Sequence, residues 1–265
     1  MSASDDVLVH SEGAIGTIVL NRPPHNFFDL SMIVALADAL DTFENDARCR
    51  VVVVAANGTS FCAGADFKTR PDSDRHRHPK KTLPLYLEGV RIMSFRKPVV
   101  AAVHGACVGG GLGVAMCADF RVASAQARFS ANFNRLGVHP GFGLSFTLPR
   151  LLGHQRAARL LYTGARIDAV EALSLGLVDL VVEPDRCREE ALSLAQEIAV
   201  SSPWAVESTR ATLRKGLIEG FRQAVAHESE VQALQMQSPD FQEGVQAMAE
   251  RRPPVFSDRR GATLD

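Results

Sequence analysis

The sequence predicts an α/β fold, with parallel strands and crossover helices in its first half and a mostly helical second half. Three observations lead there. The runs Val51–Ala56 and Val99–Val103 are apolar throughout, as strands buried on both faces of a parallel sheet are. Segments with helical spacing separate such runs. Beyond residue 154 strand signals nearly vanish and helical periodicity takes over.

The elements follow in order. Val7–His10 and Ile15–Leu20 flank Glu12-Gly13 and read as a β-hairpin that Pro23-Pro24 ends. Leu30, Ile33, Val34, Ala37 and Leu40 mark a helix reaching Phe43, with Asp29 and Ser31 near its start. Leu83–Ser94 is a second helix. Gly110–Cys117 is a short helix of small residues, and the strand Phe120–Ala123 follows it. Helical patterns then cover His154–Tyr162, Asp168–Leu175, Arg186–Val200, Pro203–Leu217 and Gly220–Gln237, with a short strand at Leu180–Val182. The division expected is a core over 1–200 and a helical oligomerisation region over 201–265.

A chain of 265 residues with 46% apolar residues can bury one large core. A net charge of −1 speaks against a nucleic-acid partner held by a basic surface. No apolar stretch approaches the ~20 residues that span a bilayer. The polar start Met1–Asp6 is unlike a signal peptide, so a cytoplasmic setting is the expectation. Five cysteines without C-x-x-C spacing indicate neither a disulfide framework nor a zinc site. Cys62 reads as a packed residue. Lys68–Thr82 lacks apolar periodicity and reads as a loop over a site. Its His76 and His78 have no evident third metal ligand, and its basic residues suit ligand phosphates as an alternative.

The chemistry lies in two short segments, Phe61–Asp66 and Gly109–Gly111, each following a β-branched run. Small residues there leave backbone N–H groups open to a ligand. Two such groups converging on one oxygen make an oxyanion hole. The second segment also opens a helix, whose dipole favours negative charge at that end. A dinucleotide loop is the competing reading, but Gly109–Gly113 lacks the G-x-G-x-x-G register and its acidic partner. Glycines serving helix packing alone are another.

Phe61-Cys62-Ala63-Gly64-Ala65-Asp66-Phe67-Lys68 resembles the F-x-A-G-A-D-x-K segment of the enoyl-CoA hydratase/isomerase, or crotonase, superfamily. Pro98–Gly111 is similar to that family's second signature, and the likeness continues through Leu161–Val178 to Arg252–Phe256. The resemblance implies a crotonase-like spiral of ββα units with a helical C-terminal region, assembled as a homotrimer or dimer of trimers. It implies an acyl-CoA thioester as ligand, with coenzyme A part of the substrate and no separate cofactor or metal. The carbonyl would sit between the N–H groups of Ala65 and Gly110. Asn26, Phe27 and Phe28 resemble the early loop that holds coenzyme A. Ala63 lines the same loop region, Asp66 would brace it, and Lys68 would lie nearby.

The chain departs from the family's hydratases at the acid/base positions. Their two glutamates correspond to Gly113 and Phe133 here, and a third carboxylate position found in some relatives corresponds to Gly141. None of these can carry a proton. His139 is the candidate proton carrier by location, against a structural role for the same ring. Asn132 and Asn134, read as facing away from Phe133 on a strand, could orient water. Tyr86 and Glu88 are candidates for the acyl pocket, and Phe133, Phe142 and Phe146 would make it apolar. The expected activity is enolate stabilisation on an acyl-CoA thioester, by a lyase or isomerase. The alternatives are a non-catalytic acyl-CoA binder and another enolate reaction such as decarboxylation.

Overall fold

The computed structural model describes residues 6–66 and 83–257. β1 (Val7–Glu12) and β2 (Ile15–Leu20) form the expected antiparallel hairpin. α1 (Leu30–Asn45) begins at Asp29, whose carboxylate accepts the Met32 N–H at 3.0 Å.

A repeating pass then starts. β3 (Val51–Ala56) is followed by the short β4 (Ser60–Cys62) and α2 (Leu83–Ser94). β5 (Val99–Val103) is followed by β6 (Ala106–Val108) and α3 (Gly110–Cys117). β7 (Phe120–Ser124) is followed by β8 (Arg128–Ser130), a 3₁₀ turn over Asn132–Leu136 and α4 (Leu144–Leu152). The remaining elements are α5 (His154–Thr163), β9 (Arg166–Asp168), α6 (Ala169–Leu175), β10 (Leu180–Val182), α7 (Cys187–Ala199), α8 (Pro203–Leu213), α9 (Leu217–Gln235) and α10 (Pro239–Glu250).

Each pass adds one strand to each of two sheets. The larger runs β1-β2-β3-β5-β7-β10 and the smaller β4-β6-β8-β9. Within them β3, β5 and β7 are parallel neighbours, as are β4, β6 and β8. This is the ββα spiral with a helical C-terminal region.

The two-sided burial expected of β3 is literal. Val52, Val54 and Ala56 join the main core with Met32, Ile33, Leu36, Leu40 and Phe43 of α1. Val51, Val53 and Ala55 face Cys187, Ala191, Ala195 and Ala199 of α7. Burying each such large side chain contributes ~1.5–3 kcal/mol. Asp119, just before β7, anchors the C-terminal helices. Its carboxylate binds Arg210 at 2.8 Å and Arg214 at 3.0 Å.

Three expectations need correction. The smaller sheet was not foreseen, because strands of three residues are too short to show a period. The helices expected over Pro203–Leu217 and Gly220–Gln237 break earlier. Gly216 adopts φ +76°, so α8 ends at Leu213 and α9 starts at Leu217. Asn132 and Asn134 lie on a 3₁₀ turn, not a strand, so they do not alternate with Phe133. Among the described residues no helix is long and apolar enough to cross a membrane.

Candidate active site

Parallel pairing puts the C-terminal ends of β4, β6 and β8 along one edge. Cys62 stands opposite Cys107, and Val108 opposite Ser130. Three loops therefore leave side by side: Ala63–Asp66, Gly109–Gly110 and Ala131–Phe133. Carboxyl ends of parallel strands are where open α/β sheets bind ligands.

The first two loops touch. A Cβ placed on Gly64, where φ is +79°, would lie 2.9 Å from the Val108 carbonyl oxygen and 3.8 Å from the Gly110 nitrogen. Only glycine lets this loop approach so closely. Neither the Ala65 nor the Gly110 N–H has an acceptor among the described residues. Gly110 opens α3, where amides lack intrahelical partners and the dipole is positive. The Gly109 N–H donates to the Ser130 carbonyl at 2.8 Å, joining the third loop to the second.

The early loop closes over them. The Phe28 N–H donates to the Gly64 carbonyl at 3.0 Å, and its ring lies on Gly110, 2.0 Å from where a Cβ would stand. Asn26 is fully buried and its amide is consumed internally. It accepts from the Arg22 N–H at 2.7 Å and donates to the Asn57 and Ser60 carbonyls at 2.6 and 2.8 Å. The Asn26 side chain thus shapes the early loop. Phe27 and Ala63 line a surface groove of about 450 Å³ with His25, His104, Arg128 and Arg166. Asp66 is half-buried at the loop's end. Lys68, His76 and His78 lie outside the described residues.

Phe142 dominates the next turn of α3. It is 2% exposed and adopts φ +54°, a conformation that costs a non-glycine residue ~1–3 kcal/mol. A Cβ on Gly113 would lie 2.7 Å from its Cβ, and one on Gly89 of α2 would lie 3.2 Å from its Cζ. The ring therefore spans the space between α2 and α3. Phe28 meets it edge-on at 5.8 Å. Phe133, in the 3₁₀ turn, lies near Gly109 and packs on both the main core and the small Leu136, Val138 and Phe241 cluster. Phe146 packs against Gly220 and under the Arg150 guanidinium.

The strained turn is held by α9. Glu228, fully buried, accepts from the Gly143 N–H at 2.7 Å, the Ser145 N–H at 3.0 Å and the Ser145 hydroxyl at 2.6 Å. Burial pushes its carboxyl up to about 7, against the lowering effect of those bonds. The Tyr86 hydroxyl donates to Gln232 Oε1 at 2.6 Å, and Gln232 Nε2 donates to the His139 carbonyl at 2.7 Å. A Cβ on Gly141 would lie 2.4 Å from the Tyr86 oxygen, so the phenol fills the space at Gly141. Burial holds the phenol's pKa far above its ordinary range, so it stays protonated.

Glu228 and Gln232 were missed by sequence reasoning. A signal existed: Phe221, Val225, Glu228 and Gln232 recur at i+4, i+3 and i+4, one buried helix face. Buried polar groups on such a face need partners, and these have them.

Other candidates lie elsewhere. His139 borders a different cavity of about 510 Å³, with Asn134, His154 and Tyr162, whose lining includes neither Ala65 nor Gly110. Its Nδ1 lies 2.7 Å from the Pro140 carbonyl and its ring meets His227 edge-on, while burial lowers its pKa. Glu88 pairs with Arg91 at 2.6 Å, within an ion-pair group that includes Asp38 and Asp41 of α1. Burial pushes the Cys62 thiol up to about 12, so it is no thiolate at neutral pH. Among the described residues no cluster of three or more His, Cys, Asp or Glu is arranged to hold a metal.

Comparison with known proteins agrees with this architecture. Residues 10–259 match the family described as Enoyl-CoA hydratase/isomerase. The chain is 31% identical to a crotonyl-CoA hydratase of Syntrophomonas wolfei, covering 96% of this chain and 98% of the relative. It is 32% identical to a short-chain-enoyl-CoA hydratase of Clostridium acetobutylicum, covering 94% and 96%. The crystal structure of an enoyl-CoA hydratase/isomerase from Pseudoalteromonas atlantica superposes with a TM-score of 0.83 at 31% identity, over 95% of this chain and 100% of that one. With two touching glycine loops at the ends of parallel strands and a family match over nearly its whole length, the chain belongs to the enoyl-CoA hydratase/isomerase family.

Proposed function

We propose that the chain binds an acyl-CoA thioester and stabilises its enolate without the two-glutamate hydration of the family's hydratases. The thioester oxygen sits between the N–H groups of Ala65 and Gly110. Each preorganised donor contributes ~3–4 kcal/mol as negative charge develops on that oxygen. Coenzyme A follows the early loop past Phe27 and Ala63, where Arg128 and Arg166 suit its phosphates. The observation that carries the reading is the contact of the Gly64 loop with the start of α3, beside two amides that have no acceptor among the described residues.

Water addition is disfavoured by what lies next to those donors. Gly113 and Phe133 carry no carboxyl, and the Phe28 and Phe142 rings pack over α3 instead. Solvent water, which takes the proton leaving the carbon beside the carbonyl and returns one there or two carbons along, closes the balance of exchange or double-bond migration through the enolate. Neither outcome consumes water. Threefold assembly belongs to the same reading. α8 has no buried residue, and Trp204 on it is 85% exposed, a face that an adjoining subunit would cover.

Incubation with 2-enoyl- and 3-enoyl-CoA esters in D₂O, followed by mass, tests the reaction. Deuterium uptake without added water is expected. Addition of a whole water would overturn the proposal in favour of hydration. Binding of the esters with no deuterium uptake would replace it with a non-catalytic acyl-CoA binder, the second reading that the three positions lacking carboxylates favour.

A further inference from the structure

We infer that Phe142 is the stop for the acyl chain, restricting this protein to short acyl-CoA thioesters. The inference rests on the acyl-CoA reading above and deepens it.

The first turn of α3 sets the direction. Gly110 supplies a donor amide, and Gly113 lies three residues further along the same helix. An acyl group whose carbonyl is held at Gly110 meets the Phe28 ring on that residue and the Phe142 ring beside Gly113. Among the described residues, α2 closes the far side of that ring. The Phe142 ring reaches across to Gly89 of α2, and Tyr86 stands behind it with ring centroids 6.4 Å apart. Glycine on both flanking helices is what admits the ring. A side chain at Gly113 would collide with it, and one at Gly89 would press on its tip.

The stop is fixed rather than free to swing. Its backbone has φ +54°, and both neighbouring residues are pinned. Gly141 is packed against the Tyr86 oxygen and Gln232, and Gly143 lies under the Phe221 ring. Glu228 holds the Gly143 and Ser145 amides. A residue whose backbone is held in a strained conformation by this many contacts defines a wall, not a mobile lid.

Isothermal titration of butyryl-CoA and octanoyl-CoA against the full chain and its Phe142→Ala variant tests this, with thermal melting to check folding. The wild type is expected to bind butyryl-CoA at least about tenfold more tightly than octanoyl-CoA. Phe142→Ala should erase that ratio, octanoyl-CoA gaining about tenfold relative to butyryl-CoA. If alanine prevents folding, Phe142→Leu is titrated instead and should move the ratio in the same direction. Equal wild-type affinity for the two lengths, or equal changes for both in the variant, overturns the stop while leaving the acyl-CoA reading intact. Binding of neither thioester overturns the acyl-CoA reading and the stop with it.

Discussion

Phe142 stands where a side chain on Gly113 would have to begin: a Cβ there would lie 2.7 Å from the Phe142 Cβ and 2.9 Å from its carbonyl oxygen. Gly113, where the resemblance would put a hydratase glutamate, therefore has no room for a side chain. Its space is filled from another part of the chain.

Gly113→Glu should consequently lose stability rather than acquire hydratase chemistry. Overpacking of this kind costs ~1–3 kcal/mol. Phe142→Ala leaves a cavity and costs ~3–5 kcal/mol by itself. In the double variant the two changes compensate, with a coupling above ~1 kcal/mol in a urea-unfolding cycle. Strict additivity would show that the two positions do not compete for one space.

At Gly110 the neighbour is the Phe28 ring. Gly110→Ala must push that ring out of the site, because no Cβ fits 2.0 Å from an aromatic carbon. The expected result is a loss of about tenfold or more in butyryl-CoA affinity, the order of one mispositioned donor, with free coenzyme A much less affected. Adding Phe28→Ala should restore part of the difference. Equal weakening of both ligands would detach Gly110 from the thioester carbonyl.

Glu228 makes stability depend on pH in an unusual direction for a carboxylate. Its folded value, about 7, lies above the ordinary 4.5, chiefly through burial, so the folded state holds the proton more tightly. The contribution is fully present below pH 4.5 and is lost as pH rises through 7. It amounts to roughly 3 kcal/mol. Tyr86, which faces it, stays neutral throughout this window. Comparing the melting temperatures of wild type and Glu228→Gln from pH 4.5 to 8 isolates the effect. The wild type should lose stability relative to the variant as pH rises, and parallel curves would sink the assignment.

By itself the sequence determined the family, the strands of the larger sheet and the two glycine segments. These are legible because β-branched runs, helical spacing and small-residue signatures are local properties of the chain. Gly110–Cys117 came out with its observed bounds, and Asp29 caps α1. It also determined that positions 113, 133 and 141 hold no carboxyl. Only the tertiary structure decided what stands there in their place. Phe142 fills the space at Gly113, the Tyr86 hydroxyl fills that at Gly141, and Glu228 clamps the turn between them from 85 residues away. Contacts of that range leave no period in the sequence. They arise because the spiral stacks β4, β6 and β8 with their ends together and lays α9 across α2 and α4, so burial, not local propensity, assigns those side chains their partners.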